Sequence, residues 1–146
     1  MPRVIAVATD DVRIPISRAR VERAVDLVLR GERVSDAVVS VAFVREQAIA
    51  RLNWRHLRHR GPTDVISFGL APAVQGAPVS GDIYISPDVA RRNARAHGAG
   101  IREELLRLVV HGVLHVLGHD HPSGDRDASP MWKRQEALVK RVMALP

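Results

Sequence analysis

The chain has no cysteine among its 146 residues. Disulfides, thiolate nucleophiles, iron–sulfur clusters and sulfur-ligated zinc are therefore excluded. Aromatic residues are nearly as scarce, with two Trp, one Tyr and two Phe, so a surface that stacks the successive bases of a single strand is not expected. Lysine occurs only at positions 133 and 140. No apolar run approaches the roughly 20 residues needed to cross a bilayer. The first residues, MPRVIAVATDD, run into two Asp after a short apolar stretch and lack the apolar core and cleavage site of a signal peptide. The expectation is a soluble, cytoplasmic protein whose residues 1–146 form one domain, since this length supports a single core.

What is present is mostly arginine and a mixed succession of elements. Lys plus Arg number 22 against 16 Asp plus Glu, a net charge of +6, and the basic side chains are nearly all guanidinium groups suited to bidentate phosphate contacts. Val4 to Thr9 and Asp36 to Val44 read as buried strands, rich in β-branched residues. Between them, Val21, Ala24, Val25 and Val28 form a helical stripe, with Ser17 as cap and Gly31 as stop. A short helix over 45–53 and a basic turn, WRHLRHRGPT, precede the strands DVISFGL and DIYIS. Ser86-Pro87 and Ser129-Pro130 each pair a cap with proline at the first helical position. They open helices on either side of a long apolar-periodic helix from Ile101 to Leu117. The order β-α-β-α-β-β-α-α-α predicts an α+β domain, a mixed sheet of about four strands covered by about five helices. No Gly-rich phosphate loop follows the early strands, so a nucleotide cofactor is not suggested.

Four of the seven histidines fall within HGVLHVLGHDH, His111 to His121. His111 and His115 are one helical turn apart, so both imidazoles project from one face and can share an ion. Gly118 permits a left-handed helix end, after which His121 can fold back toward the same ion. The spacing H-x₃-H-x₂-G-x₂-H is that of a metzincin-like three-histidine metal site. The general base of that class, a Glu directly after the first His, is replaced here by Gly112. Three imidazoles leave an open position of the catalytic kind. Asp120 is read as the carboxylate that orients a ligand imidazole, with direct ligation as the alternative, and His119 as turned away.

His111 to His121 resembles the H-G-x-L-H-x-x-G-[YH]-D-H signature of the YbeY family, metal-dependent endoribonucleases of ribosomal RNA maturation. Leu52-Asn53, PTDVISF at Pro62 to Phe68 and SGDIYIS at Ser80 to Ser86 are similar to further family blocks in the same order. The resemblance runs over roughly residues 36 to 143. It implies one zinc ion per chain, or another transition metal, on His111, His115 and His121, with a basic cleft facing it. It further implies cleavage of single-stranded RNA and association with ribosomal RNA and ribosomal particles, with no membrane partner. Two positions depart from the pattern. The family arginine of a YRGKD-like turn after LN falls on Leu57, which makes Arg58 the candidate replacement, and Gln135 stands where the terminal helix commonly carries Glu. Asp82 is read equally as a cleft residue and as a turn partner, Asp64 as a shaper of its turn, and Ser67 and Ser86 as a sheet residue and a helix cap. Two other functions compete with the nuclease. One is a non-catalytic, metal-stabilised ribosome- or RNA-binding module; the other is a metallopeptidase, against which Gly112 argues.

Overall fold

The computed structural model describes residues 2–70, 74, 77–119 and 129–146. Its strands are β1 (Arg3–Thr9), β2 (Ala37–Phe43), β3 (Val65–Leu70) and β4 (Val79–Ile85). Its α-helices, five among the described residues, are α1 (Arg18–Gly31), α2 (Glu46–Leu52), α3 (Pro87–Ala96), α4 (Ile101–Val116) and α5 (Pro130–Met143). The succession is the one expected from the periodicities. All three serine caps form: Ser17, Ser86 and Ser129 accept from the backbone N–H of Arg20, Val89 and Trp132, each satisfying a donor the helix leaves open. One strand is longer than its motif suggested. β4 begins at Val79 because its first residues pair with β2, Val79 opposite Ala37 and Gly81 opposite Val39.

The sheet order is β1-β2-β4-β3. β1, β2 and β4 run parallel and β3 pairs antiparallel with β4, so the sheet is mixed, with β1 and β3 as its edge strands. Strand alternation divides the side chains between two faces. Ile5, Val7, Val39, Val41, Ile83 and Ile85 join α1, α4 and α5 in the main core. The opposite face carries a smaller cluster of Val44, Ile49 and Ile66 with Leu52, Phe68 and Tyr84. α4 is buried along most of its length, from Leu105 to Val116, and it carries the first two histidines of the motif.

Candidate active site

His111 and His115 sit side by side on α4, their ring centroids 4.5 Å apart and their planes tilted by 55°. What seats the helix this closely on the sheet is Gly112, which lies between them. A Cβ at Gly112 would stand 2.7 Å from Ile83 Cγ2 and 3.1 Å from Ile83 Cδ1, closer than packed carbons approach. The position that carries a base in metzincins therefore points into the core in this protein, against β4. The helix ends as its sequence predicts. Gly118 takes φ +94°, its N–H donates to the His115 carbonyl, and the His119 N–H donates to that of Leu114, the paired bonds of a Schellman end. His119 leaves the site, with Nε2 2.7 Å from Glu32 Oε1 beside Arg134. Asp120 and His121 lie outside the described residues. Among the described residues no three His, Cys, Asp or Glu side chains converge as a metal site requires; the pair His111–His115 is the part of the expected site that is described.

α5 supports the first of these rings. His111 Nδ1 is 2.7 Å from Gln135 Oε1. Gln135 Nε2 in turn donates to Glu136 Oε2 at 3.2 Å. Both oxygens of Glu136 accept from Arg107, at 2.9 Å from Nε and 2.9 Å from Nη2. Burial works to raise the Glu136 carboxyl, and the hydrogen bonds from Arg107 and Gln135 outweigh it, leaving it below the usual Glu value. Sequence reasoning noted Gln135 only as a departure. The signal that identifies its role is its place on the buried stripe of α5 with Met131, Leu138 and Val142: a polar side chain 2% exposed has to find a partner.

Behind His111 a cavity of about 80 Å³ is lined by Asp64, Val65, Glu104, Arg107, Leu108 and Gln135 as well. Burial pushes the Glu104 carboxyl up, against the pull of Arg107. Asp64 is tied into its turn, accepting from Asn93 Nδ2 at 3.3 Å while its carbonyl accepts from Ser86 N at 2.9 Å, so shaping the turn is the role it fills. Asp82 accepts from Ser40 Oγ at 2.6 Å. It points to the sheet face opposite α4, because Gly81 and Ile83, its neighbours along β4, pack on Val116 and on the Gly112 position of that helix. It is a sheet-face residue and meets neither histidine.

The basic turn is built differently from a plain loop. α2 runs on into a single π-helical turn, Asn53–Leu57. Buried Asn53 straps its exit by donating from Nδ2 to the Gly61 carbonyl at 2.9 Å. Arg58 then adopts φ 55° and ψ 27°, the left-handed conformation that glycine takes most readily. This is the position on which the glycine of the YRGKD-like pattern falls. Trp54 is 44% exposed, and the guanidinium groups of Arg58 and Arg60 each lie over its ring at 5.4 Å from the centroid. Among the described residues Arg55, Arg58 and Arg60 have no acidic partner, whereas Arg45, Arg91, Arg92 and Arg107 do. Leu57, at the family's arginine position, is 46% exposed.

His56 of the turn and the histidines of α4 lie on opposite faces of β3. His56 packs edge-on against Phe68, centroids 4.9 Å apart, and Phe68 belongs to the smaller cluster under α2. Its neighbour Gly69 faces α4, where a Cβ would come within 2.9 Å of the Val116 carbonyl oxygen.

A family model described as endoribonuclease YbeY matches residues 5–143 of this chain. The endoribonuclease YbeY of Chloroherpeton thalassium is 34% identical over 128 residues, covering 88% of this chain and 89% of its relative. That of Frankia alni is 36% identical over 146 residues, covering 92% and 80%. The solution structure of a Thermotoga maritima protein superimposes with a TM-score of 0.64 at 28% identity, over 95% of this chain and 89% of the other. With the four-stranded mixed sheet, the paired histidines of α4 and a match that runs nearly end to end, this chain belongs to the endoribonuclease YbeY family.

Proposed function

We propose that the chain is a metal-dependent endoribonuclease that cuts single-stranded RNA in ribosomal RNA maturation and ribosome quality control, with residues 1–146 acting as one cytoplasmic domain. The observation that carries the reading is the His111–His115 pair, two adjacent imidazoles on a buried helix, with Gln135 engaging Nδ1 of the first. Imidazole donors without sulfur suit a zinc ion or another transition metal. In this reading His121 is the third ligand and Asp120 the carboxylate that orients a ring. When bound, such an ion supplies Lewis-acid polarisation of a phosphoryl oxygen and an activated water. The protein's own groups position the RNA. Arg58 and Arg60, gathered on Trp54 and without acidic partners among the described residues, offer their charge to phosphates. Arg58 is the residue of the turn assigned to offset charge that develops at the scissile phosphate.

A second reading, an RNA-binding module that no longer cuts, is favoured by one observation, the exposed Leu57 where the family pattern has arginine. The peptidase reading is disfavoured because the place for its base is filled by the contact with Ile83. A cleavage assay decides among them. Zinc-loaded protein is expected to cut a single-stranded RNA at internal positions and to leave casein intact, and His115→Ala should lose the RNA cleavage. RNA binding without cleavage, or cleavage that His115→Ala retains, would overturn the proposal.

A further inference from the structure

We infer that Gln135 is a positioning residue that holds His111 in the Nδ1-protonated tautomer, and that the Arg107–Glu136 pair fixes the orientation in which Gln135 does so. Arg107 has only N–H donors, and it occupies both Glu136 oxygens at 2.9 Å. An ionised Glu136 has only acceptors, so the Gln135 group 3.2 Å from Oε2 is the amide NH₂. That sets the Gln135 carbonyl oxygen toward His111, 2.7 Å from Nδ1. A carbonyl oxygen only accepts, so Nδ1 carries the proton. In a neutral imidazole the lone pair then sits on Nε2, the atom at the far side of the ring. Without the carboxylate the amide can turn over, present its NH₂ to Nδ1 and select the opposite tautomer. The device needs Arg107 from α4 and the adjacent Gln135 and Glu136 from α5, and the contacts that join the two helices are not local in sequence: Arg107 and Glu136 are 29 residues apart, His111 and Gln135 24.

The consequence for a metal rests on the reading of His111 as a ligand. An Nε2 lone pair prepared before the ion arrives avoids a tautomer change on binding, and partners of this kind typically contribute about 10- to 100-fold in metal affinity. The tautomer itself is independent of that reading and is measured without metal.

Long-range ¹H–¹⁵N correlation spectra of the metal-free protein, taken above the histidine titration range, report which nitrogen of His111 bears the proton. The parent is expected to show a protonated Nδ1. Gln135→Leu should move His111 toward the Nε2-protonated form that free histidine favours, and Gln135→Glu, which keeps an acceptor, should restore Nδ1–H. Glu136→Gln should give a mixture, because the amide is released. Zinc competition with a chromophoric chelator should show affinity about 10-fold or more weaker for Gln135→Leu and near-parental for Gln135→Glu. Unchanged far-ultraviolet spectra establish that each variant is folded. An Nε2-protonated His111 in the parent, or one that stays Nδ1-protonated in Gln135→Leu, overturns the inference. The expected tautomers together with no zinc binding by the parent leave the inference standing and remove the metal reading instead.

Discussion

Placing alanine at Gly112 tests why the helix that bears the histidines sits where it does. In an exposed helix interior, glycine to alanine gains about 1 kcal/mol. Here the new Cβ would meet Ile83 Cγ2 at 2.7 Å, Cδ1 at 3.1 Å and Cγ1 at 3.2 Å. Ile83 is fully buried in a central strand and β-branched, so its χ1 has little room to yield. Overpacking of this kind costs about 1–3 kcal/mol, and the stiffness of the neighbour places it in the upper part of that range. The net expectation for Gly112→Ala is a loss of about 1–2 kcal/mol, or a few degrees in melting temperature for a domain of this size. The measurement is urea unfolding of four proteins: parent, Gly112→Ala, Ile83→Ala and the double variant. With the isoleucine branches removed the collision is gone, so in that background Gly112→Ala should turn stabilising by about 1 kcal/mol. A single Gly112→Ala variant as stable as the parent, or no sign change between the two backgrounds, would refute the account of Gly112 as a packing residue.

Arg58 inverts the usual ranking of alanine and glycine. Because its φ is 55°, Arg58→Gly should be more stable than Arg58→Ala by about 1 kcal/mol in thermal unfolding, although glycine is normally the weaker of the two. Both variants should bind single-stranded RNA more weakly than the parent, with a salt slope shallower by about 0.7 per lost phosphate contact; an unchanged slope would show the turn to be no more than a solvated loop. Glu104 predicts a pH effect. Burial raises its carboxyl above the ordinary 4.5, so the folded state holds the proton more tightly than the unfolded chain. That contribution to stability is whole below the ordinary value and is lost as pH rises through the raised one. Glu104→Gln, neutral throughout, should therefore gain stability relative to the parent from acid toward neutral pH, and a difference that shrinks over that range would contradict the assigned shift.

Much of this protein was legible because the relevant signals are local. Ser17, Ser86 and Ser129 cap helices through bonds that close within three residues, and Gly118 ends α4 for a reason contained in its own φ. The i, i+4 spacing of His111 and His115 brings their rings together on any helix. The family is legible for the same cause, since its blocks are short and contiguous. The Arg58 conformation was not, although the pattern set against Leu57 points to it once the turn is seen.

The rest depends on which elements pack together, and a local pattern carries no record of that. The packing of α4 on Gly81 and Ile83 leaves Asp82 on the face away from the histidines, and His56 of the basic turn packs on Phe68 on that same face. Gly112 reads in sequence as the absence of a base; only its approach to Ile83 makes it the seat of α4. Gln135 reads as a neutral stand-in for Glu; only the crossing of α4 and α5 brings it His111 and brings its neighbour Glu136 to Arg107. Composition, periodicity and caps determined the elements and the histidine pair, because the hydrogen bonds concerned close within a turn of chain. Tertiary structure decided that Gln135 meets His111 and that Glu136 meets Arg107, because those partners lie 24 and 29 residues apart and are chosen by packing.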